Sequence, residues 1–150
     1  MYGDKGEVPE GDYTIPLGVA DISIEGSDVT VVSFGKIIKE ADKAADELEK
    51  EGISCEIIDL RTVKPLDYEA ILKSVKKTNR LVVLEEAWPF GNVATEITYH
   101  IQAHAFDYLD APVVKINTAD TPAPYSPVLL EEWLPNYKDV VAAVKKVLYK

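Results

Sequence analysis

The fold is decided by residues 29–52, VTVVSFGKIIKEADKAADELEKEG, because the period of their apolar side chains changes halfway along. Residues 29–34 form a β-branched run, which is typical of a strand buried at the centre of a sheet. From Lys36 onward the apolar residues recur at helical spacing, while lysine, glutamate and aspartate fill the opposite face. Gly52 is predicted to end this helix at the C′ position. The apolar positions of the helix are Ile37, Ala41, Ala44 and Leu48.

The rest of the chain repeats this alternation of strand and helix. Polar and apolar side chains alternate over residues 19–25, which predicts a half-buried edge strand. Further strands are predicted at residues 53–60, 80–86 and 111–116, and further helices at residues 67–78, after residues 91–92 and at residues 140–148. We therefore predict an α/β fold: a three-layer sandwich with a mostly parallel five-stranded sheet, one antiparallel edge strand, and helices on both faces. The proline-rich residues 118–127 are expected to form a rigid loop.

Composition and charge limit the possible functions. The chain has 150 residues, the size of one domain, and a formal net charge of −10. Nucleic-acid partners require a basic surface, so none is expected, whereas an acidic surface suits a basic protein partner. No apolar run reaches the roughly 18 residues of a membrane span, so no membrane partner is expected. The single cysteine, Cys55, excludes an intrachain disulfide and is interpreted as a buried thiol in a strand.

The loops that follow the predicted strands contain no complete catalytic motif. Gly35, the one glycine of the first loop, fits neither a dinucleotide nor a triphosphate motif, and no serine-nucleophile elbow occurs. His100 and His104 have a helical spacing that can bind a metal, but they lack a third ligand. We therefore predict no catalytic, cofactor-binding or metal-binding residue in this chain.

The segment LEEAWPFGN, residues 84–92, opens the most distinctive loop. Glu85 and Glu86 are adjacent, so on a strand they point to opposite sides and do not converge on one substrate. We expect these two carboxylates to be structural or solvated, with a lone catalytic base as the alternative.

Aromatic side chains in and after this loop predict a subunit interface. Trp88, Pro89 and Phe90 form a large apolar loop tip beside acidic residues, as protein interfaces do. Trp133, which is followed by leucine and proline, is interpreted in the same way. Packing of either tryptophan in the core is the alternative.

Five segments match one known family, and they occur in order without large gaps: GSDVTVVSFG, EGISCEIIDLRTVKPLD, KKTNRLVVLEEAWPFGNVATEI, AFDYLDAPVVKINTADTPAPYSP and WLPNYKDVVAAVKKVL. Together they resemble the C-terminal domain of pyruvate dehydrogenase beta subunits, in the transketolase C-terminal domain family. The resemblance implies that residues 19–150 form that domain. Residues 1–18 resemble the linker that follows a missing N-terminal pyrimidine-binding domain. Branched-chain 2-oxoacid dehydrogenase beta subunits are the nearest alternative.

The resemblance implies one part of an enzyme that decarboxylates pyruvate and passes the acetyl group to lipoamide. Its cofactors are thiamine diphosphate and magnesium, which the family holds in the preceding domain and in the alpha subunit. This chain is therefore expected to be inactive alone and to serve assembly and docking. A stand-alone ligand-binding or regulatory module is the remaining alternative. The implied compartment is the bacterial cytoplasm, or the mitochondrial matrix in a eukaryote.

The implied partners are a pyruvate dehydrogenase alpha subunit, a second beta subunit, and the subunit-binding domain of dihydrolipoyl acetyltransferase. In the family the last contact uses an acidic residue in an L-[DE]-A-P motif and the C-terminal carboxylate of the beta subunit. The acidic position of the motif falls on Asp110 in this chain, and the C-terminal position is Lys150, preceded by Tyr149. The resemblance therefore implies Asp110, Tyr149 and Lys150 as partner-binding residues. Family members often end on an apolar residue, whereas this sequence ends on lysine.

Overall fold

The computed structural model describes residues 6–7 and 9–150. The predicted connector, residues 1–18, therefore lies partly outside the described residues. Its described part is exposed up to Leu17 and forms no helix or strand.

Within the described residues, five strands form one mixed sheet with the order β1-β3-β2-β4-β5. The strands are β1 (Asp21–Ile24), β2 (Val29–Ser33), β3 (Cys55–Asp59), β4 (Leu81–Leu84) and β5 (Val114–Ile116). β2 pairs in parallel with β3 and β4, β4 pairs in parallel with β5, and β1 pairs antiparallel with β3. The predicted mostly parallel sheet with one antiparallel edge strand is confirmed. All five residues of β2 are buried, as its β-branched run predicts.

Helices cover both faces of the sheet, which confirms the predicted three layers. They are α1 (Ile38–Glu49), α2 (Tyr68–Thr78), α3 (Val93–Ala105), α4 (Pro127–Trp133) and α5 (Tyr137–Val147). α1 and α5 pack on one face, where they share a buried cluster with Val31. α2 and α3 pack on the other face, with Val32 in their cluster. Adjacent residues of one strand thus serve two separate cores.

Side-chain caps fix where the helices begin. The Asp67 carboxylate accepts a hydrogen bond from the Ala70 amide at 3.0 Å, which confirms the predicted cap of α2. Its other oxygen accepts from the Ala20 amide at 3.0 Å and so ties the start of β1 to α2. Asn92 caps α3 through the Thr95 amide at 2.8 Å. This last cap sets the direction in which the chain leaves the loop after β4.

The half-buried alternation predicted for β1 is wrong in detail. The pairing register with β3 shifts between Ile22 and Ile24, so one extra residue is accommodated there. Ile22 is 41% exposed as a result of its position at this irregular edge, although the sequence pattern predicts it to be buried.

One helix end and one whole helix also differ from the sequence prediction. Lys50 is the C-cap of α1, so Gly52 lies one residue beyond the predicted C′ position, where its φ of 75° completes the turn. The chain after the proline-rich loop forms α4, which was not predicted, because Pro127 occupies the first turn of a helix and does not interrupt one. Cys55 is buried in β3 as predicted, and burial raises the pKa of its thiol to about 12.

Candidate functional site

The end of β4 carries a buried carboxylate that organises the loop after it. Glu85 is fully buried. One carboxylate oxygen accepts from the Ala94 amide at the start of α3 at 3.2 Å, and the other accepts from the Asn117 side-chain amide at 2.9 Å. Burial raises the pKa of the Glu85 carboxyl, although these two hydrogen bonds and the nearby Lys115 ammonium oppose the shift.

The Glu85 side chain is therefore committed to structure, because its oxygens bridge β4, α3 and the end of β5. Glu86 is exposed, so the two adjacent carboxylates do point to different environments, as the sequence predicts. No hydrogen bond described for Glu85 or Glu86 reaches a side chain that could act as a nucleophile. This geometry favours the structural interpretation over that of a lone catalytic base.

Two tryptophans meet on one backbone carbonyl. Trp88 Nε1 donates to the Thr121 carbonyl at 3.1 Å, and Trp133 Nε1 donates to the same oxygen at 2.9 Å. Trp88 comes from the loop after β4 and Trp133 from the end of α4, so this carbonyl fastens both segments to the proline-rich loop. The structure thereby brings together two residues that the sequence predicts as interface residues.

Further hydrogen bonds hold these segments in place. The Thr118 amide donates to the Ala87 carbonyl at 3.0 Å, and the Ala119 amide donates to the Trp133 carbonyl at 3.1 Å. Lys115 Nζ donates to the Pro89 carbonyl at 3.0 Å. We call the assembly of residues 87–92 and 118–133 the aromatic corner. It lies beyond the carboxyl ends of β4 and β5, where open α/β sheets place their binding sites.

Large apolar side chains of the aromatic corner remain exposed. Phe90 is 92% exposed and Trp88 is 55% exposed, while Trp133 is half-buried. α4 and the loop before it add exposed residues that the sequence search did not select: Tyr125, Val128 and Leu129. The aliphatic run of "PVLLEEW", residues 127–133, could have indicated Val128 and Leu129, had the helix that begins at Pro127 been predicted.

A second predicted site lies at the end of α5. Arg80 Nη2 lies 3.2 Å from an Asp110 carboxylate oxygen, and Arg80 Nε donates to the Val147 carbonyl at 3.1 Å. The Tyr149 hydroxyl donates to the Asp110 carbonyl at 3.2 Å. Asp110 and Tyr149 thus lie together, and their role in partner binding stays a prediction. Arg80 was missed because nothing in its sequence context distinguishes it from a surface charge.

The last residues continue this surface. Tyr149 is 74% exposed and has a φ of 56°, and the Lys150 amide donates to the Lys145 carbonyl at 3.0 Å. A groove of about 630 Å³ runs beside β5 and is lined by Tyr149, Pro112, Val147 and Pro89 among others. Pro89 therefore connects the groove to the aromatic corner. We call the Asp110, Arg80 and Tyr149 side chains with this groove the C-terminal surface.

The remaining candidate residues do not form a metal centre. The rings of His100 and His104 stack with centroids 4.1 Å apart, and Tyr68 stacks on His100 at 3.9 Å. His104 Nδ1 lies 2.9 Å from the His100 carbonyl oxygen. Among residues 6–7 and 9–150, no three His, Cys, Asp or Glu side chains are grouped so that they could hold a metal ion. None of the helices in that part of the chain is both long and apolar enough to cross a membrane.

A mostly parallel five-stranded sheet with helices on both faces defines an open three-layer α/β domain. The family model for the transketolase C-terminal domain matches residues 18–140, so the chain belongs to that family. A solved structure described as a split-gene transketolase, inactive beta4 tetramer, has a TM-score of 0.80 and 32% sequence identity. It covers 96% of this chain, which in turn covers 46% of it.

Two curated relatives match essentially the whole chain. The pyruvate dehydrogenase E1 component subunit beta of Rhizobium meliloti (strain 1021) is 50% identical over 151 residues, which are 100% of this chain and 33% of that protein. The acetoin:2,6-dichlorophenolindophenol oxidoreductase subunit beta of Bacillus subtilis (strain 168) is 46% identical over 147 residues, 98% of this chain and 43% of that protein. The chain thus spans between a third and a half of these relatives.

Proposed function

We propose that this chain is the C-terminal domain of the beta subunit of a thiamine-dependent pyruvate dehydrogenase. The observation that carries the proposal is the 50% identity between the whole of this chain and one third of a pyruvate dehydrogenase E1 component subunit beta. Residues 19–150 are the domain, and residues 1–18 are the linker from a pyrimidine-binding domain that precedes it. The complete enzyme decarboxylates pyruvate and transfers the acetyl group to lipoamide.

The residues described here do not fit the cofactors of that reaction. Magnesium prefers several carboxylate, carbonyl or water oxygens, and no cluster of candidate ligands occurs within residues 6–7 and 9–150. The buried Glu85 carboxylate is bonded to α3 and Asn117, so it is not placed as a base. We accordingly assign thiamine diphosphate and magnesium to other parts of the enzyme and assign assembly and docking to this domain.

The C-terminal surface is proposed to dock the subunit-binding domain of dihydrolipoyl acetyltransferase. Asp110 is its central residue, and Tyr149 and Lys150 flank it. The Arg80 guanidinium already neutralises part of the Asp110 charge, so a basic partner has to compete with or extend this ion pair. The Asp110 side chain is 55% exposed, so a pair at this level of solvation contributes modestly, about 0–1 kcal/mol, unless the partner excludes water from it.

The aromatic corner is proposed to contact another subunit of the enzyme through Trp88, Pro89, Phe90 and Trp133. The alpha subunit and a second beta subunit are the candidate partners. The compartment that we propose is a bacterial cytoplasm, as the bacterial relatives suggest, or the mitochondrial matrix in a eukaryote.

The test uses the complete beta subunit that carries this domain, coexpressed with its alpha subunit. We expect decarboxylation of pyruvate that requires thiamine diphosphate and magnesium. Pyruvate turnover by residues 1–150 alone would contradict the proposal.

In the same preparation, Asp110→Ala should weaken binding of the subunit-binding domain without changing pyruvate turnover, whereas the exposed control Asp107→Ala should leave binding unchanged. Equal binding by both variants would move the docking site elsewhere.

A second candidate function is supported by the acetoin oxidoreductase relative, which is nearly as similar to this chain. Since the domain described here does not contain the substrate pocket of either proposal, its geometry does not distinguish them. The same coexpressed enzyme should therefore be offered pyruvate, branched-chain 2-oxoacids and acetoin in parallel. Preference for acetoin would replace the pyruvate assignment and retain the domain assignment.

A further inference from the structure

Arg80 lies where three segments of the chain meet. It belongs to the turn between α2 and β4, and its side chain reaches both the end of α5 and the loop before β5. The Nε atom donates to the Val147 carbonyl at 3.1 Å, and the Nη2 atom lies 3.2 Å from Asp110 Oδ2. One guanidinium therefore joins the end of α5 to the carboxylate of the proposed docking site, because its fork of donors can serve two acceptors at once.

The backbone of Arg80 is itself held against the centre of the sheet. Its carbonyl accepts from the Thr30 amide of β2 at 2.9 Å. The same oxygen lies 3.2 Å from the hydroxyl of the buried Thr78. Only 24% of the Arg80 side chain is exposed. The guanidinium therefore extends from a rigid base, and its contacts with α5 and Asp110 restrict it further.

The loop that carries Asp110 is fixed through its backbone. The Asp110 amide donates to the Asn79 carbonyl at 2.9 Å, and the Asn79 side-chain amide donates to the Tyr108 carbonyl at 2.8 Å. The Tyr149 hydroxyl donates to the Asp110 carbonyl at 3.2 Å. These bonds hold backbone groups of the loop, so the direction of the Asp110 carboxylate is left to its contact with Arg80.

This contact uses only one of the two carboxylate oxygens. The ion pair with Arg80 is made by Oδ2, and within the described residues Oδ1 of Asp110 takes part in no hydrogen bond or ion pair. The Asp110 side chain is 55% exposed, so a partner can reach it. A cation of the partner can therefore bind Oδ1 while Arg80 keeps Oδ2, and the partner extends the ion pair without replacing it.

We propose that Arg80 is a positioning residue of the C-terminal surface, which directs the Asp110 carboxylate so that a basic side chain of the docked partner binds its second oxygen. The inference rests on the docking role proposed above for Asp110 and adds the residue that prepares it. A carboxylate that is already directed loses less conformational freedom when the partner binds. Without Arg80 the partner would have to orient Asp110 itself, and the affinity would fall.

The charge of Arg80 taken alone predicts the opposite effect. A cation on this surface repels a basic partner, so removing a charge should speed association and strengthen binding. Lys146 isolates this effect of charge, because it is exposed and lines the same groove. Within the part of the chain that the structure describes, it takes part in no ion pair. The two cations therefore distinguish positioning from charge.

The first test compares these two cations in the complete beta subunit, coexpressed with its alpha subunit. Arg80→Met should weaken binding of the subunit-binding domain about fivefold, through faster dissociation. Lys146→Met removes the same charge without a contact to Asp110, and it should bind within about twofold of the wild type or more tightly. Arg80→Lys keeps the charge but loses the planar fork, so it should recover only part of the lost affinity.

The second test is a double-mutant cycle that separates the positioning of Asp110 from general support of the domain. In the Asp110→Ala background, Arg80→Met should change binding by less than about twofold, because the carboxylate that Arg80 directs is absent. A structural role alone would weaken binding by the same factor in both backgrounds. Urea unfolding curves of each variant show that it is folded under the conditions of the binding assay.

The outcomes separate this inference from the proposed function. Unchanged or tighter binding by Arg80→Met, an equal loss in Lys146→Met, wild-type affinity in Arg80→Lys, or equal effects in both Asp110 backgrounds would overturn the inference and leave the docking role of Asp110 in place. Wild-type binding by Asp110→Ala would overturn both. A substrate other than pyruvate, with these binding effects intact, would change the proposed function and support the inference.

Discussion

Two glutamates are buried at opposite ends of the sheet, and their charges are compensated in different ways. Glu56, in β3, accepts a hydrogen bond from the exposed Lys77 ammonium and a longer one, 3.4 Å, from the Gly26 amide. Glu85, after β4, accepts from the first turn of α3 and from a neutral side-chain amide. Burial by itself favours a higher pKa for both carboxyls. At Glu85 burial prevails and the pKa is raised, whereas at Glu56 the hydrogen bonds outweigh burial and the pKa is lowered.

The difference separates a residue that supports the fold from one that also supports a surface. Glu56 joins β3 to the last turn of α2, and none of the hydrogen bonds described for it involves a residue of the aromatic corner. Glu85 joins β4, α3 and Asn117, and the loop of the aromatic corner begins two residues later. We therefore expect changes at Glu56 to affect stability alone and changes at Glu85 to affect stability and subunit association together.

The largest expected effect comes from Glu85→Ala. It leaves the Ala94 amide and the Asn117 side-chain amide without acceptors and opens a cavity, which should lower the free energy of unfolding by about 3 kcal/mol. Urea denaturation of the isolated domain measures this, with Glu86→Ala as the exposed control at less than about 0.5 kcal/mol. Similar values for the two variants would remove the distinction between the buried and the exposed carboxylate.

A smaller effect is expected at the other end of the sheet. Lys77→Met removes the cation from Glu56 and should lower the free energy of unfolding by about 1.5 kcal/mol, at the low end for charged hydrogen bonds because Lys77 is 45% exposed. Lys73→Met, on the exposed side of α2, is the matched control. Binding of the alpha subunit should not change in either variant. A loss of binding in Lys77→Met alone would show that the two ends of the sheet are coupled.

The third test measures whether the two tryptophan hydrogen bonds to the Thr121 carbonyl stabilise the aromatic corner. Trp88→Phe and Trp133→Phe each remove one indole donor and should cost up to about 1 kcal/mol. Because both indoles use the same oxygen, which retains one partner in each single variant, the double variant should cost more than the sum of the two. Additive costs in this double-mutant cycle would mean that the shared oxygen contributes nothing.

The sequence predicted the layers of this fold better than its surfaces. The β-branched run of β2 and the carboxylate cap at Asp67 act locally, so their consequences could be predicted from neighbouring residues. The shared acceptor at Thr121 joins Trp88 and Trp133 across a loop, and the Arg80 contacts join α5 to a residue 67 positions earlier. Such long-range partners leave no periodic pattern in the sequence. Trp88 was therefore predicted as an interface residue, but its hydrogen bond to the Thr121 carbonyl was not predicted.

The smallest expected effect is the pH dependence of stability, and its sign distinguishes the two buried carboxylates. Because the pKa of Glu85 is raised on folding, its contribution is fully present below the unfolded pKa and is lost as pH rises through the folded pKa. The stability of Glu85→Gln should therefore improve relative to the wild type with rising pH in that window.

The pKa of Glu56 is lowered, so its contribution is present above the unfolded pKa and is lost as pH falls through the folded pKa. The wild-type advantage over Glu56→Gln should shrink toward acid. Urea unfolding of the three proteins across the acidic range measures both slopes, and slopes of the same sign would mean that the helix terminus compensates Glu85 as fully as the lysine compensates Glu56.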